Sequence, residues 1–255
     1  MKYPTRLLTR WLLPAIAAVA WPVAALAQAN AVDPEALKLL RRSTDYLASL
    51  KQFSLDNDMS IEAVLSTGQK LQLGHRVALT VQRPNKMRAQ RVGELISQDF
   101  VYDGKTLSLS LPEQKFYASA PVPATIDGML DTARDKLDVI APGADLVYAN
   151  AYQRLTEGLT SAFIVGKAYV AGTRCDHLAF RNNEVDWQIW IQDGDVPLPR
   201  RYVITSKRMP ASPQFESVLF NWNLAPNVSE ATFTFTPPAG AQRIRRESEA
   251  GKAIV

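Results

Sequence analysis

The apolar residues of this chain change spacing several times, and each change marks an element. Ala36, Leu39, Leu40, Tyr46, Leu47 and Leu50 recur at near-helical intervals, with Lys38, Arg41, Arg42 and Asp45 between them. That period predicts one amphipathic helix ending near Leu50. Asp33-Pro34-Glu35 supplies its start: a capping carboxylate, a proline suited to the first turn, and an acid at the positive helix end. From Phe53 the period falls to two. Phe53, Leu55, Met59, Ile61, Ala63 and Leu65 alternate with mostly polar residues, Ser66-Thr67-Gly68-Gln69 turns, and Leu71, Leu73, Val77, Leu79 and Val81 alternate again. Two such runs around a Gly-containing turn predict a β-hairpin with one wet face.

Shorter strands are expected at 86–92, 95–102, 106–111 and 115–120, so the first half reads as a meander. Asp103-Gly104 is a tight-turn pair, because glycine adopts positive φ at low cost. Pro121-Val122-Pro123 breaks the pattern, and Thr125 caps a second helix with the stripe Ile126, Met129, Leu130, Ala133, Leu137 and Ile140. Asp127 and Asp131 come early and Arg134 and Lys136 late, in agreement with the helix dipole. Pro142-Gly143 ends it, and a short helical piece follows at 151–156. Strands return at 161–170, 174–181, 185–192, 200–206, 214–223 and 232–236.

Ten or more antiparallel strands make a twisted sheet that tends to curl or close. The fold class expected is α+β, mainly antiparallel: a strongly curved sheet forming an incomplete barrel, with helices over its concave face. The stripe around 126–140 must be buried somewhere, and that concave face is the available place. An apolar cavity between sheet and helices is the default ligand site of such an arrangement. Its candidate lining is Leu55, Ile61, Leu73, Leu79, Leu107, Leu109, Ile126, Met129 and Leu130. The same residues would be ordinary core if sheet and helix met in a filled interior, as in an accessory or structural subunit of an envelope complex.

The first residues change the picture of location. Lys2, Arg6 and Arg10 precede the apolar stretch from Trp11 to Ala20, and Ala25-Leu26-Ala27 forms a small-residue cleavage box. That order predicts a secretory signal peptide cleaved after Ala27, and the apolar part falls short of the ~20 residues that span a bilayer. No Arg-Arg pair precedes it and no Cys lies near the box, which points to ordinary export without a lipid anchor. Loss of residues 1–27 lowers the 29 basic residues to 26 against 25 acidic, so the mature charge is near +1. This excludes a basic nucleic-acid-binding surface as the main feature. The mature 28–242 is expected to form one domain, working as a monomer, with 243–255 a poorly ordered tail. Cys175 is the only cysteine, so the core must hold without an intramolecular disulfide.

Catalytic signatures are missing: no G-x-S-x-G, H-E-x-x-H or Gly-rich phosphate loop occurs, and no catalysis and no cofactor are expected. Cys175 and His177 would share one face of a strand, but two ligands are fewer than a zinc site needs. A small buried hydrophobe is the expected role of Cys175. Asp56/Asp58 and Asp193/Asp195 read as a solvated strand face and a turn. Trp187, Trp190, Phe220 and Trp222 form an aromatic group expected to serve packing before ligand stacking.

Two stretches carry a family resemblance. Gln82-Arg83-Pro84-Asn85-Lys86-Met87-Arg88 followed by Phe100-Val101-Tyr102-Asp103-Gly104-Lys105-Thr106-Leu107 resembles the LolA/LolB superfamily of outer-membrane lipoprotein carriers. The second half, with Cys175-Asp176-His177-Leu178-Ala179-Phe180, Val185-Asp186-Trp187-Gln188-Ile189-Trp190-Ile191 and Pro197-Leu198-Pro199-Arg200-Arg201-Tyr202, is similar to a family of predicted periplasmic proteins of unknown function within it. The resemblance implies an incomplete barrel whose helices lid a cavity for acyl chains, a periplasmic setting, and membrane partners in the envelope. It also implies that Arg83 latches the lid of the empty cavity.

Overall fold

A computed structural model describes residues 32–139 and 141–244. The export segment, the cleavage box, Ile140 and residues 245–255 lie outside the described residues. Helix α1 (Pro34–Ser49) starts as its sequence dictates, with the Asp33 carboxylate accepting from the Glu35 N–H at 2.9 Å. A meander follows: β1 (Gln52–Val64), β2 (Lys70–Gln82), β3 (Lys86–Gly93), β4 (Gln98–Tyr102), β5 (Thr106–Leu111) and β6 (Phe116–Pro121). Next come α2 (Ile126–Leu137), a 3-10 turn (Ala144–Val147) and α3 (Ala151–Thr156). A second meander runs through β7 (Ser161–Val170), β8 (Thr173–Arg181), β9 (Val185–Gln192), β10 (Pro199–Ser206) and β11 (Gln214–Asn223). The short β12 (Gln242–Arg243) closes the order.

All twelve strands belong to one sheet, ordered β12-β6-β5-β4-β3-β2-β1-β11-β10-β9-β8-β7. Every strand pairing is antiparallel except β12 on β6. The two meanders meet at a single seam, where β1 pairs with β11 from Ser54↔Asn223 to Ile61↔Phe215. The first strand of the chain's first half is thereby joined to the last long strand of its second half.

One concave face carries both cores, and the helices divide it. Over the second meander α1 fills the face: Ala36, Leu40 and Leu47 pack with Leu178, Phe180, Trp187, Ile189 and Tyr202. Over the first meander α2 and the residues after it form a roof. Phe53, Val81, Met87, Tyr102 and Leu107 pack there with Ile126, Met129, Leu130 and Ala133. Thr125 caps α2, its hydroxyl accepting from the Gly128 N–H at 3.1 Å.

Three expectations need correction. Residues 232–236 are no strand; Glu230–Phe233 is a 3-10 turn fixed by a Ser229/Thr232 capping box, and its Phe233 is buried. Local side-chain bonding to the backbone outcompetes a ladder at that position. Leu95, expected to open β4, is 70 % exposed in the loop before it, and pairing begins at Gln98. The four aromatics also do not form one group. Trp187 stacks on Phe180 in the α1 core with ring centres 3.9 Å apart, while Trp190 stacks on His177 on the opposite face. Asn221, at φ 50°, shifts the alternation of β11, and Trp222 rejoins the concave side against Phe53.

Candidate functional site: a roofed cavity on the concave sheet

The β1–β2 register sets the floor of the site. Phe53 opposes Val81, then Met87, Tyr102 and Leu107 across β3, β4 and β5. The next inward row is Leu55, Leu79, Ala89, Phe100 and Leu109. The third is Asn57, Val77, Arg91 and Gln98, and the fourth begins Met59, His75, Gly93. The first row is dry, large and tightly buried; the second carries the small Ala89. A shallow row between floor and roof leaves a hollow.

That hollow is a cavity of about 570 Å³, lined from the sheet by Leu55, Leu79, Ala89 and Phe100 among others. Met129, Leu130 and Ala133 of α2 and the residues from Val139 to Tyr148 complete the roof. The volume falls inside the roughly 300–1,000 Å³ usual for small-molecule sites. Of the residues expected from sequence, Leu55, Ile61, Leu79, Leu107, Met129 and Leu130 line this cavity. Leu109 lines an adjoining hollow that shares Phe100, Leu107 and Val139 with the first. Leu73 lies further along β2 and lines neither, and Ile126 is core at 1 % exposure, where α2 begins against the floor. Sequence reasoning missed Met87, Ala89, Arg91, Phe100 and Trp222. Their signal was the inward parity shared with Leu79, which needs the register of three strands to be read.

The roof is tied to itself and to the sheet by polar contacts. Arg154 donates twice to the Asp131 carboxylate at 2.9 Å and lies 3.8 Å over the Tyr148 ring. Tyr148 in turn donates to Asp131 at 3.0 Å, and burial together with that bond pushes its phenol up to about 12. The β2–β3 turn holds the roof at two points. Arg83 Nη2 donates to the Val147 carbonyl at 2.7 Å, and the Pro84 carbonyl, after a cis Arg83–Pro84 bond, accepts from the Ile126 N–H at 3.0 Å. Arg83 Nε is buried without a hydrogen-bond partner among the described residues. Burial presses this guanidinium below its ordinary value, and Asp127 acts in the opposite direction. The second arginine of the motif, Arg88, sits on the other face and pairs with Asp99 at 2.8 Å.

Gly104 shows why the Asp-Gly turn beside this grip has its sequence. Its φ is +100°, and a Cβ there would come within 2.7 Å of the Asn85 side chain. The Asp103 carboxylate accepts from the Lys105 and Thr106 N–H groups at 2.8 and 2.7 Å.

Cys175 is fully buried, its thiol donating to the Thr173 carbonyl at 3.4 Å, and burial pushes the thiol up. His177 bonds Gln188 at 2.9 Å. No cluster of three metal-ligating side chains exists among the described residues. One member of each carboxylate pair forms a surface ion pair: Asp58 with Arg76 at 2.7 Å and Asp193 with Lys167 at 3.1 Å. No described helix is long and apolar enough to cross a membrane.

Fold and cavity together define a curved-sheet protein with a roofed apolar hollow, the incomplete barrel that the sequence resemblance implied. The chain belongs to the family described as predicted periplasmic protein (DUF2092), whose model matches residues 36–246, and the protein is periplasmic. No curated protein matches the sequence. Among solved structures, Mycobacterium tuberculosis lipoprotein LppX is similar with a TM-score of 0.50 at 14% identity, over 77% of this chain and 100% of that one. LprF from Mycobacterium bovis gives 0.48 at 16%, over 83% and 99%. A LolA superfamily protein from Nitrosomonas europaea gives 0.39 at 10%, over 78% and 97%.

Proposed function

We propose that this protein binds and carries an apolar ligand, a lipid or an acyl chain, in the cavity between the curved sheet and α2. One observation carries the reading: α1 packs closely onto the second meander, whereas a hollow that reaches Leu47 near the end of α1 stays open between α2 and the first meander, although both helices bring apolar stripes to the sheet. Apolar surface gains from contact with other apolar groups, so a hollow lined by Leu55, Leu79, Leu107, Met129 and Leu130 favours a hydrocarbon occupant. No catalytic step is assigned to it.

The grip of the β2–β3 turn suggests how the cavity opens. The Ile126–Pro84 bond holds the start of α2 and acts as the hinge. The Arg83–Val147 bond holds the far end of the roof and acts as the latch. Breaking the latch alone lets the roof swing while its first turn stays attached.

Native mass spectrometry of protein purified from its own periplasm tests the reading. The expected result is a retained lipid-sized adduct that is released by organic extraction. Ligand-free protein that also fails to bind a neutral fluorescent apolar probe sinks it.

A further inference from the structure

The cavity is not uniformly apolar, and its polarity is ordered. Moving inward along β1, β2 and β3, the dry row of Phe53, Val81 and Met87 gives way to Leu55, Leu79 and Ala89. Then comes the row that contains Arg91, with His75 in the row beyond. At ~3.3 Å per residue, Arg91 stands about 13 Å from the dry end. Arg91 lines the cavity and is half-buried, with burial pressing its guanidinium below the ordinary value.

Its neighbours hold it without neutralising it. Nη1 donates to Gln98 Oε1 at 3.1 Å, and Nη2 meets His75 Nε2. The His75 imidazole lies over Gly93, where a Cβ would come within 2.5 Å of its Cδ2, so only glycine leaves the ring that position. A guanidinium only donates, so Nε2 accepts, which only the neutral ring can do; burial first and Arg91 second press the imidazole below its ordinary value, while the Leu73 backbone and Glu94 act in the opposite direction. Two of five guanidinium donors are thus committed to neutral partners, and Nε is buried with no partner among the described residues. Arg91 makes no ion pair among the described residues. The roof side of the cavity carries the carboxylates Asp138 and Asp145, whereas on the sheet side the half-buried Arg91 has only uncharged acceptors, Gln98 and His75.

Resting on the apolar-ligand reading above, we propose that Arg91, positioned by His75 and Gln98, recognises an oxyanion head group on an amphiphile whose tail runs toward Leu79 and Leu55. Carboxylate and phosphate share the required chemistry, since both accept from a planar guanidinium through two oxygens.

Displacement of the neutral probe N-phenyl-1-naphthylamine tests this with three competitors of matched chain: palmitate, palmityl alcohol and palmitoyl lysophosphatidate. In the wild type at least one anion displaces the probe at a concentration lower than the alcohol by about tenfold or more, equal to ~1.4 kcal/mol. Palmitate alone doing so assigns a fatty-acid head, and lysophosphatidate alone a phospholipid head. Arg91→Met abolishes the preference, while an unchanged circular-dichroism spectrum and a cooperative unfolding transition show that the variant still folds; Arg91→Lys keeps part of the preference. An alcohol that competes as well as both anions, or a preference that survives Arg91→Met, overturns the proposal and leaves the cavity reading standing. Failure of the wild type to bind the probe at all removes the cavity reading, and this inference with it.

Discussion

Replacing Ala89 by leucine separates a hollow from a filled interior by the sign of its effect. Ala89 sits mid-floor between Leu79 and Phe100 and faces the cavity. Leucine adds three carbons, worth ~0.8 kcal/mol each when fully buried. With the hollow covering about half of the added surface, the gain is ~1–2 kcal/mol. For a chain of this size that raises Tm by about 2–8 °C. In a filled interior the same carbons overpack and cost ~1–3 kcal/mol. Ala162→Leu supplies the contrast, because Ala162 is fully buried in the α1 core and lines neither hollow. Thermal unfolding followed by circular dichroism should place Ala89→Leu above the wild type and Ala162→Leu below it. Probe binding should fall in the first variant only. Ala89→Leu destabilised to the same extent as Ala162→Leu would refute the reasoning.

Three further outcomes are expected. Arg83→Leu removes a charge-assisted bond worth ~1.5–3 kcal/mol and should speed amide exchange across residues 141–148 and ligand release; unchanged exchange there refutes the latch. His177 is held below its ordinary value, by burial first, so the unfolded chain takes up its proton near pH 6.5 while the folded chain resists it. Stability is therefore full above that pH and falls as the pH drops toward the folded value; His177→Gln should show a shallower fall in urea midpoint between about pH 7 and 5.5. Cys175 should react with a thiol reagent only on unfolding, with a rate that tracks the unfolding rate, and fast labelling of the native protein contradicts its burial.

The elements of this fold were legible because each follows from a local pattern. The alternation from Phe53 to Val81 specified the long hairpin, Asp33 and Thr125 marked the starts of α1 and α2, and the twelve strands among the described residues fall within the expected ten or more. The division of the concave face was not legible. It depends on Ala89, Phe100 and Trp222 sharing a side with Leu55, and that parity passes through three turns and the shift at Asn221. Arg91 was invisible for the same reason, since a charged residue on a strand reads as solvent-facing until its register is known. Residues 232–236 failed differently: the alternation was present, but Ser229 and Thr232 satisfied the backbone locally.

The seam between β1 and β11 imposes an order in time. Residues 52–64 emerge early and can form a hairpin with residues 70–82 at once, yet the other edge of β1 has no neighbour until residues 214–223 arrive. Non-local pairings of this kind are slow, because the intervening chain must first be confined. Until then a long strand presents unpaired N–H and C=O groups and invites association with other chains. Assembly of this protein therefore has a window of vulnerability set by the distance between two strands, and holdase chaperones that shield extended polypeptide would act most strongly within it.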